Sequence, residues 1–313
     1  MSAKVNIKVV GIGGAGCNAV SRMMKCQIQG IDLLALNTDA QDIKHCLAPQ
    51  KLRIGKEITQ GLGAGMNPEI GRKAAEENRE EISELLKDSD MVFITCGLGG
   101  GTGSGASPVI AEIAKNQGAL TIAIVTKPFS FEGKQRKAIA EKALENLKDK
   151  VDTLLIIEND KILSLIDKNT SLLSAFWQCD EILREATQGI SDLIVLPGII
   201  NVDFADIKTI MKSSGTALFS VGKGKGEKRI EKAVSKAVAS PLLDFSIKNA
   251  KGILFNVSAD KDLSLSEVNT AADMITKNAD KQAKLIFGAV VDKNLKKGEI
   301  KITIIATGIR EYE

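Results

Sequence analysis

The 313-residue chain has a single histidine, His45, and only one tryptophan and one tyrosine. One histidine excludes catalysis by a histidine pair and a histidine-rich metal centre. The five cysteines, at positions 17, 26, 46, 96 and 179, contain no CxxC. They match neither a zinc pattern nor a disulfide framework and suit reduced, mostly buried thiols. No uninterrupted apolar run approaches the ~18 residues that suggest a membrane span. The start, Met1 to Asn6, lacks the basic-then-apolar layout of a signal peptide. Neither sign of charge dominates: 42 Lys plus Arg against 39 Asp plus Glu leave +3, too little to argue for nucleic acid. No GxxxxGK[ST] occurs, which excludes a P-loop protein. There is no internal repeat, low-complexity tract or linker. A cytoplasmic protein is the default these absences leave.

What is present is a sizeable core: 44% of the residues are hydrophobic, and the length suggests about two domains. In the first half, apolar runs at Val5–Val10, Leu33–Leu36, Met91–Cys96, Leu120–Val125 and Thr153–Ile157 read as strands buried on both faces of a parallel sheet. Helical patterns lie between them, at Pro68–Leu86, Pro108–Gln117 and Gln135–Leu147. Asn67 is placed to cap the first of these, Pro68 to open it, and Gly118 to end the second. A long helical stretch runs from Ser171 to Leu193. Beyond it, helix-like Gly226–Ala239 and Ser264–Asn278 mix with strand-like Leu218–Val221, Gly252–Ser258, Leu285–Val291 and Ile300–Ala306. The last two strands are joined by Asp292–Gly298, short enough for a hairpin-like antiparallel link. The lysine-rich stretch from Lys223 to Lys236 reads as a solvated helix face. The expected fold class is α/β: a doubly wound, mostly parallel sheet, a long central helix and a second, smaller α+β domain with a mixed sheet. The expected boundaries are 1–170 for a nucleotide-binding domain, 171–196 for a connecting helix and 197–313 for a C-terminal domain.

Gly11, Gly13 and Gly16 form GxGxxG after a strand and before a helix, and Asp39 ends the next strand 23 residues after Gly16. Alone, this suits either a dinucleotide-binding fingerprint or a tight turn with no ligand. A second glycine segment, Gly97 to Gly105, also sits between a strand and a helix and holds six glycines in nine residues. A turn needs one or two glycines; a loop whose successive N–H groups wrap an oxyanion needs many. A nicotinamide enzyme has no need of the second loop, whereas a nucleoside triphosphate gripped from two sides would use both. A third cluster, Gly61 to Asn67, is a loop at the same mouth or, more simply, a lead-in to the Pro68 helix.

These residues resemble a family closely. GGGTGSG at 99–105 is similar to the phosphate signature of the tubulin/FtsZ superfamily. The accompanying segments narrow the resemblance to FtsZ, the bacterial cell-division GTPases. They are Asn37-Thr38-Asp39, GLGAGMNP at 61–68, VTKPFSFEGKQR at 125–136, QGISDLI at 188–194, NVDFAD at 201–206, SPLL at 240–243 and IATG at 305–308. The resemblance implies GTP hydrolysis to GDP and phosphate, head-to-tail self-assembly and a mid-cell septal ring. It implies a first phosphate loop at Gly13, Gly14, Ala15, Gly16 and Asn18, and a second at Gly99, Gly100, Gly101, Thr102 and Gly103. Ala64, Gly65 and Asn67 would face the γ-phosphate. Glu132 and Arg136 would hold the ribose, Phe176 would pack on the base, and Asn159 and Asp180 would read its edge. Guanine offers adjacent N1–H and N2–H donors that one carboxylate can accept, and adenine does not.

Taken alone, Asp203 is a good helix N-cap, with Asp206 near the same helix end. The resemblance assigns Asn201, Asp203 and Asp206 to catalysis in trans, inserted into the nucleotide site of the next subunit. It implies GTP or GDP and Mg²⁺ as ligands, the Mg²⁺ held mainly by phosphates rather than by protein side chains, with a K⁺ or Na⁺ requirement left open. The implied partners are further copies of the chain and other division proteins, with membrane tethers only if a tail follows residue 313, and no nucleic acid. Departures from the family pattern are Ala15 for glycine, Ser104 for threonine, Glu158 for proline and Trp177 for a smaller residue, the last read as helix packing. The residues also suit two other readings: a nicotinamide-dependent oxidoreductase using GxGxxG with Asp39, and a nucleotide-binding homologue that assembles but hydrolyses poorly.

Overall fold

The computed structural model describes residues 5–164, 166–167, 169–196, 198–242, 250–277, 279–292 and 295–309. Leu243 of the SPLL segment, Asn278, and Lys293 and Asn294 of the last link lie outside them. Two compact units divide the chain, Met1–Thr187 and Gln188–Glu313.

The first unit runs β1 (Ile7–Ile12), α1 (Gly13–Lys25), β2 (Ile31–Asn37), α2 (Ala40–His45), β3 (Gln50–Arg53), α3 (Lys56–Thr59), α4 (Pro68–Glu77), α5 (Arg79–Leu86), β4 (Met91–Gly97), α6 (Gly101–Asn116), β5 (Leu120–Lys127), α7 (Lys134–Lys148), β6 (Thr153–Glu158), α8 (Asn159–Ile162) and α9 (Leu172–Val195), the last of which continues into the second unit. Its strands lie in the order β3-β2-β1-β4-β5-β6, all parallel. β4 and β5 are buried along almost their whole length, which explains their uninterrupted apolar sequence. The order reverses between β1 and β4, and a ligand crevice forms at such a switch point, outside the carboxyl ends of the strands. Both glycine segments leave the sheet there.

Three local expectations change. Pro68–Leu86 is two helices, because Asn78 leaves the helical conformation and its buried side chain accepts a hydrogen bond from Gly55 N at 2.8 Å. The helix expected at Pro108 begins at Gly101, so much of the second glycine segment is helical and Pro108 lies inside α6. β3 was not expected: it is a short, largely polar strand at the sheet edge and carries no apolar run.

In α6, glycine permits close helix packing. A Cβ on Gly105 would lie 1.9 Å from the Pro68 carbonyl oxygen, and one on Gly101 would lie 2.7 Å from the Ala64 Cβ. Those absent side chains let α4 and the loop before it rest on the start of α6.

The second unit takes the end of α9 and adds β7 (Gly198–Ile200), α10 (Phe204–Met211), β8 (Gly215–Lys225), α11 (Arg229–Val238), β9 (Gly252–Ala259), α12 (Leu265–Lys277), β10 (Lys284–Val291) and β11 (Glu299–Thr307). Its strand order is β8-β11-β9-β10-β7. β11 is antiparallel to both β8 and β9, while β10 is parallel to β9, so the sheet is mixed. The hairpin-like link between β10 and β11 is therefore not formed. β9 is buried at every position and takes the centre, with β10 and β11 on either side of it. α11 lies directly on β8, since a Cβ on Gly222 would come within 1.9 Å of the Ala233 carbonyl oxygen.

Candidate functional site

A cleft of about 400 Å³ opens at the switch point of the first unit and is lined by that unit alone. Two helices start in it. α1 begins at Gly13 and α6 at Gly101, and neither has a side-chain cap or an acidic residue in its first turn. The helices beside them do have caps: Asp39 accepts from Gln41 N and Asp42 N at the start of α2, and Asn67 accepts from Glu69 N at the start of α4. Two helix N-termini thus converge with unclaimed N–H donors and the positive ends of their dipoles, an arrangement suited to anionic oxygens. They are in contact, since a Cβ on Gly13 would lie 3.2 Å from Gly103 N. The hydroxyls of Thr38 and Thr102, 2.6 Å apart and buried, join the end of β2 to the second helix start.

Of the phosphate-loop residues, Gly13, Gly14 and Ala15 line the cleft, as do Gly100, Gly101, Thr102 and Gly103. Gly16, Asn18 and Gly99 do not. Gly16 serves packing, because its Cβ would meet the Thr95 carbonyl oxygen at 2.5 Å. Gly99 donates its N–H to the Ser104 hydroxyl at 2.9 Å, so Ser104 braces the loop from behind. Ala64 and Gly65 line the cleft, which makes the third glycine cluster more than a helix lead-in. Asn67 is the cap and lies outside the lining; its capping oxygen is used, leaving its amide NH₂.

The far end of the cleft is aromatic and polar. Glu132 and Arg136 both line it and pair at 3.0 Å. Phe176 meets Phe129 edge-on with centroids 5.4 Å apart. Asn159 is buried in the lining, and its side-chain oxygen has no hydrogen-bond partner. A buried orphan acceptor facing a cleft is satisfied most simply by a ligand donor. Asp180 lies nearby; burial pushes its carboxyl up to about 6, with Arg22 opposing. Burial also pushes the neighbouring Cys179 thiol up to about 12, so it stays protonated at neutral pH. Among the described residues no group of three or more His, Cys, Asp or Glu side chains could enclose a metal ion.

Of the departures from the family pattern, Ala15 lines the cleft and Ser104 braces its loop, while Glu158 and Trp177 lie outside the lining. Glu158 is held between Lys127 at 3.4 Å and Lys161 at 3.3 Å, away from the lining. Trp177 is half-exposed rather than packed into the core, with the Arg22 guanidinium 4.3 Å above its ring. Four residues not expected at the site, Thr38, Thr126, Cys179 and Leu183, also line the cleft. The last two sit about one helical turn beyond Phe176 and Asp180 on α9, a spacing that could have found them.

Asn201, Asp203 and Asp206 belong to the second unit. Asn201 accepts from Gly198 N at 2.7 Å. Asp203 occupies the N-cap position of α10, yet its side chain makes no capping bond. All three residues are exposed, and neither carboxylate has a hydrogen-bond or ion-pair partner among the described residues.

The model of the Tubulin/FtsZ family GTPase domain matches residues 6–167, and that of the FtsZ family C-terminal domain matches residues 215–310. The chain belongs to the FtsZ family. An empty FtsZ dimer from M. jannaschii superposes with a TM-score of 0.95 at 46% identity, covering 98% of this chain and 89% of that one. A tryptophan-to-tyrosine variant of M. jannaschii FtsZ gives 0.94 at 46% identity, with 98% and 92% covered. GDP-bound CetZ1 from Haloferax volcanii, at 21% identity and a TM-score of 0.85 over 98% of this chain and 95% of its own, shares the fold. Membership of this family implies guanine-nucleotide binding and makes GTP hydrolysis the general kind of activity. It closes the nicotinamide reading.

Proposed function

We propose that the chain is a GTPase that polymerises head to tail, with each active site completed by the 201–206 segment of the neighbouring subunit, and that its filaments form the septal ring in cell division. The observation that carries the nucleotide reading is the pair of uncapped helix N-termini facing one cleft. The trans reading is supported by two exposed, unpartnered carboxylates, Asp203 and Asp206, and by a nucleotide cleft lined without them. A relative at 46% identity is a dimer.

In this mechanism the α- and β-phosphates lie on the N–H groups of Gly13 to Ala15, and those of Gly101 to Gly103 surround the β- and γ-phosphates. Ala64, Gly65 and the Asn67 amide close over the γ-phosphate. Glu132 and Arg136 take the ribose hydroxyls, Phe176 packs on the base, and Asn159 and Asp180 face its edge. Magnesium, when bound, supplies charge neutralisation on the phosphate oxygens. Attack on the γ-phosphate needs little covalent chemistry, so Asn201, Asp203 and Asp206 of the next subunit act by positioning and polarising the water in line. Functionally the chain divides into 1–170 for nucleotide binding, 171–196 as connecting helix, and 197–313 carrying the catalytic segment. Its place is the cytoplasm at mid-cell.

Phosphate release from GTP with magnesium, across a series of protein concentrations, tests this. Specific activity should rise above a threshold concentration; a constant value would return Asp203 and Asp206 to a helix end. No release with GTP still bound would favour a non-hydrolysing homologue. Asp206→Ala should retain GTP binding and lose on the order of 100-fold in turnover.

A further inference from the structure

Arg22, on α1, and Asp180, on α9, form an ion pair with unusual geometry. The guanidinium NH2 stands 3.7 Å from Asp180 Oδ2, beyond hydrogen-bond length, and the two side chains are only 15% and 16% exposed. The guanidinium is 4.3 Å above the Trp177 ring. Its Nε is buried and has no hydrogen-bond partner. No described donor comes within hydrogen-bond distance of the Asp180 oxygens. The carboxylate therefore has a counter-charge nearby while its lone pairs remain open to the cleft. A direct bidentate pair would have filled the lone pairs. No counter-charge at all would have left a buried carboxylate to neutralise itself.

We propose that Arg22 is a specificity-positioning residue, the counter-ion that keeps Asp180 an open anionic acceptor for the guanine edge, and that Trp177 is the platform holding its guanidinium off the carboxylate. The proposal rests on the reading of Asp180 as the residue that receives guanine N1–H and N2–H.

The other groups facing Asp180 do not supply that charge. Cys179 stays neutral. Glu132, near Cys179, is taken by Arg136 at 3.0 Å. Arg184, one turn along α9, is taken by Glu181 at 2.5 Å and faces Glu185 at 3.9 Å. Asp39 and Asp42 line the cleft with charge of the wrong sign. Guanine requires ionised Asp180, so affinity falls as pH drops through its titration, near 6 in the chain as it stands. Loss of the Arg22 charge raises that titration, so the fall in affinity on acidification sets in at a higher pH and the variant's deficit is largest at the acid end.

The test is equilibrium binding of GDP to the full chain and to Arg22→Gln, Arg22→Lys, Trp177→Leu and Asp180→Asn, each at about pH 6.5 and about pH 8.5. The ratio of variant to unmodified chain at each pH cancels the titration of the phosphates. R22Q should bind about threefold more weakly than the unmodified chain near pH 6.5 and nearly as tightly near pH 8.5, the size expected for an upward shift of about one unit. R22K should recover most of the loss. W177L lets the guanidinium settle on the carboxylate and should weaken binding equally at both pH values. An R22Q ratio identical at the two pH values, or no rescue by lysine, overturns the proposal. Asp180→Asn binding GDP as tightly as the unmodified chain would instead overturn the reading of Asp180 itself. Trp177 is the only tryptophan, so its emission gives a readout on the unaltered chain should a variant not fold. Saturating GDP should change that emission, and an unchanged spectrum counts against the coupling.

Discussion

Arg229 and Arg22 are both nearly buried guanidiniums, and the protein treats them in opposite ways. In the second unit, Arg229 donates to Glu267 at 2.6 and 3.0 Å, to the Asp262 carboxylate at 2.8 Å and to the Asp262 carbonyl at 3.1 Å. Those bonds hold the Glu267 carboxyl down at about 2 and Asp262 below its ordinary value. In the first unit, Arg22 has a long ion pair, a ring face and an unpaired Nε. A fully bonded charge cluster fixes α11 against the start of α12 and has nothing left to offer a ligand. A cluster with open valences, set in a cleft, is arranged to receive one. Glycines divide in the same way: the missing Cβ of Gly105 is filled by the Pro68 carbonyl, whereas a Cβ on Gly100 would meet nothing within 4 Å.

Breaking the satisfied cluster should have the largest effect. Arg229→Met leaves two carboxylates without their cation and is expected to destabilise the fold by about 3–5 kcal/mol in denaturant unfolding. The same cluster sets an acid limb. Because the folded-state pKa of Glu267 is depressed, its contribution is present above about pH 4.3 and is lost as pH falls toward about 2. Arg229→Met should flatten that limb in a series of unfolding midpoints, and an unaltered limb would remove the cluster from the stability of the fold. Gly105→Ala should come next, at about 1–3 kcal/mol or somewhat more, because α4 must move off α6. Asp180→Asn, on the open side of the comparison, should leave the unfolding midpoint near that of the parent. It should weaken GDP binding by about 1.5–3 kcal/mol through the lost charged acceptor and erode the preference for GTP over ATP in competition binding. Gly100→Ala should have the smallest effect on the fold, within about 0.5 kcal/mol. A fall in nucleotide affinity at that unchanged stability would mark Gly100 as a site glycine; equal loss of both would not.

Much of this was legible in the residue order. The runs at Met91–Cys96 and Leu120–Val125 match β4 and β5 nearly to the residue, because strands buried on both faces are continuously apolar. The glycine segments stood out because no turn needs six glycines in nine residues. Local patterns failed wherever a distant partner decided the outcome. The Gly55 amide, 23 positions away, draws Asn78 out of the helix. β9 displaced a hairpin that the seven-residue link from Asp292 to Gly298 would have allowed. Trp177, read as helix packing, lies instead under a side chain from another helix.

Residue order alone carries the α/β class, the two phosphate-suited segments and the family, since periodicity, glycine density and ordered motifs are properties of neighbouring residues. Folding alone brings two uncapped helix starts and the Gly61–Asn67 loop into one cleft. Only folding decided which carboxylates are satisfied and which are open. Thr38 meets Thr102, and Arg22 meets Trp177 and Asp180, across separations along the chain that no local pattern encodes. Burial and bonding belong to the folded neighbourhood, and it is the neighbourhood that makes one arginine a strut and the other a counter-ion.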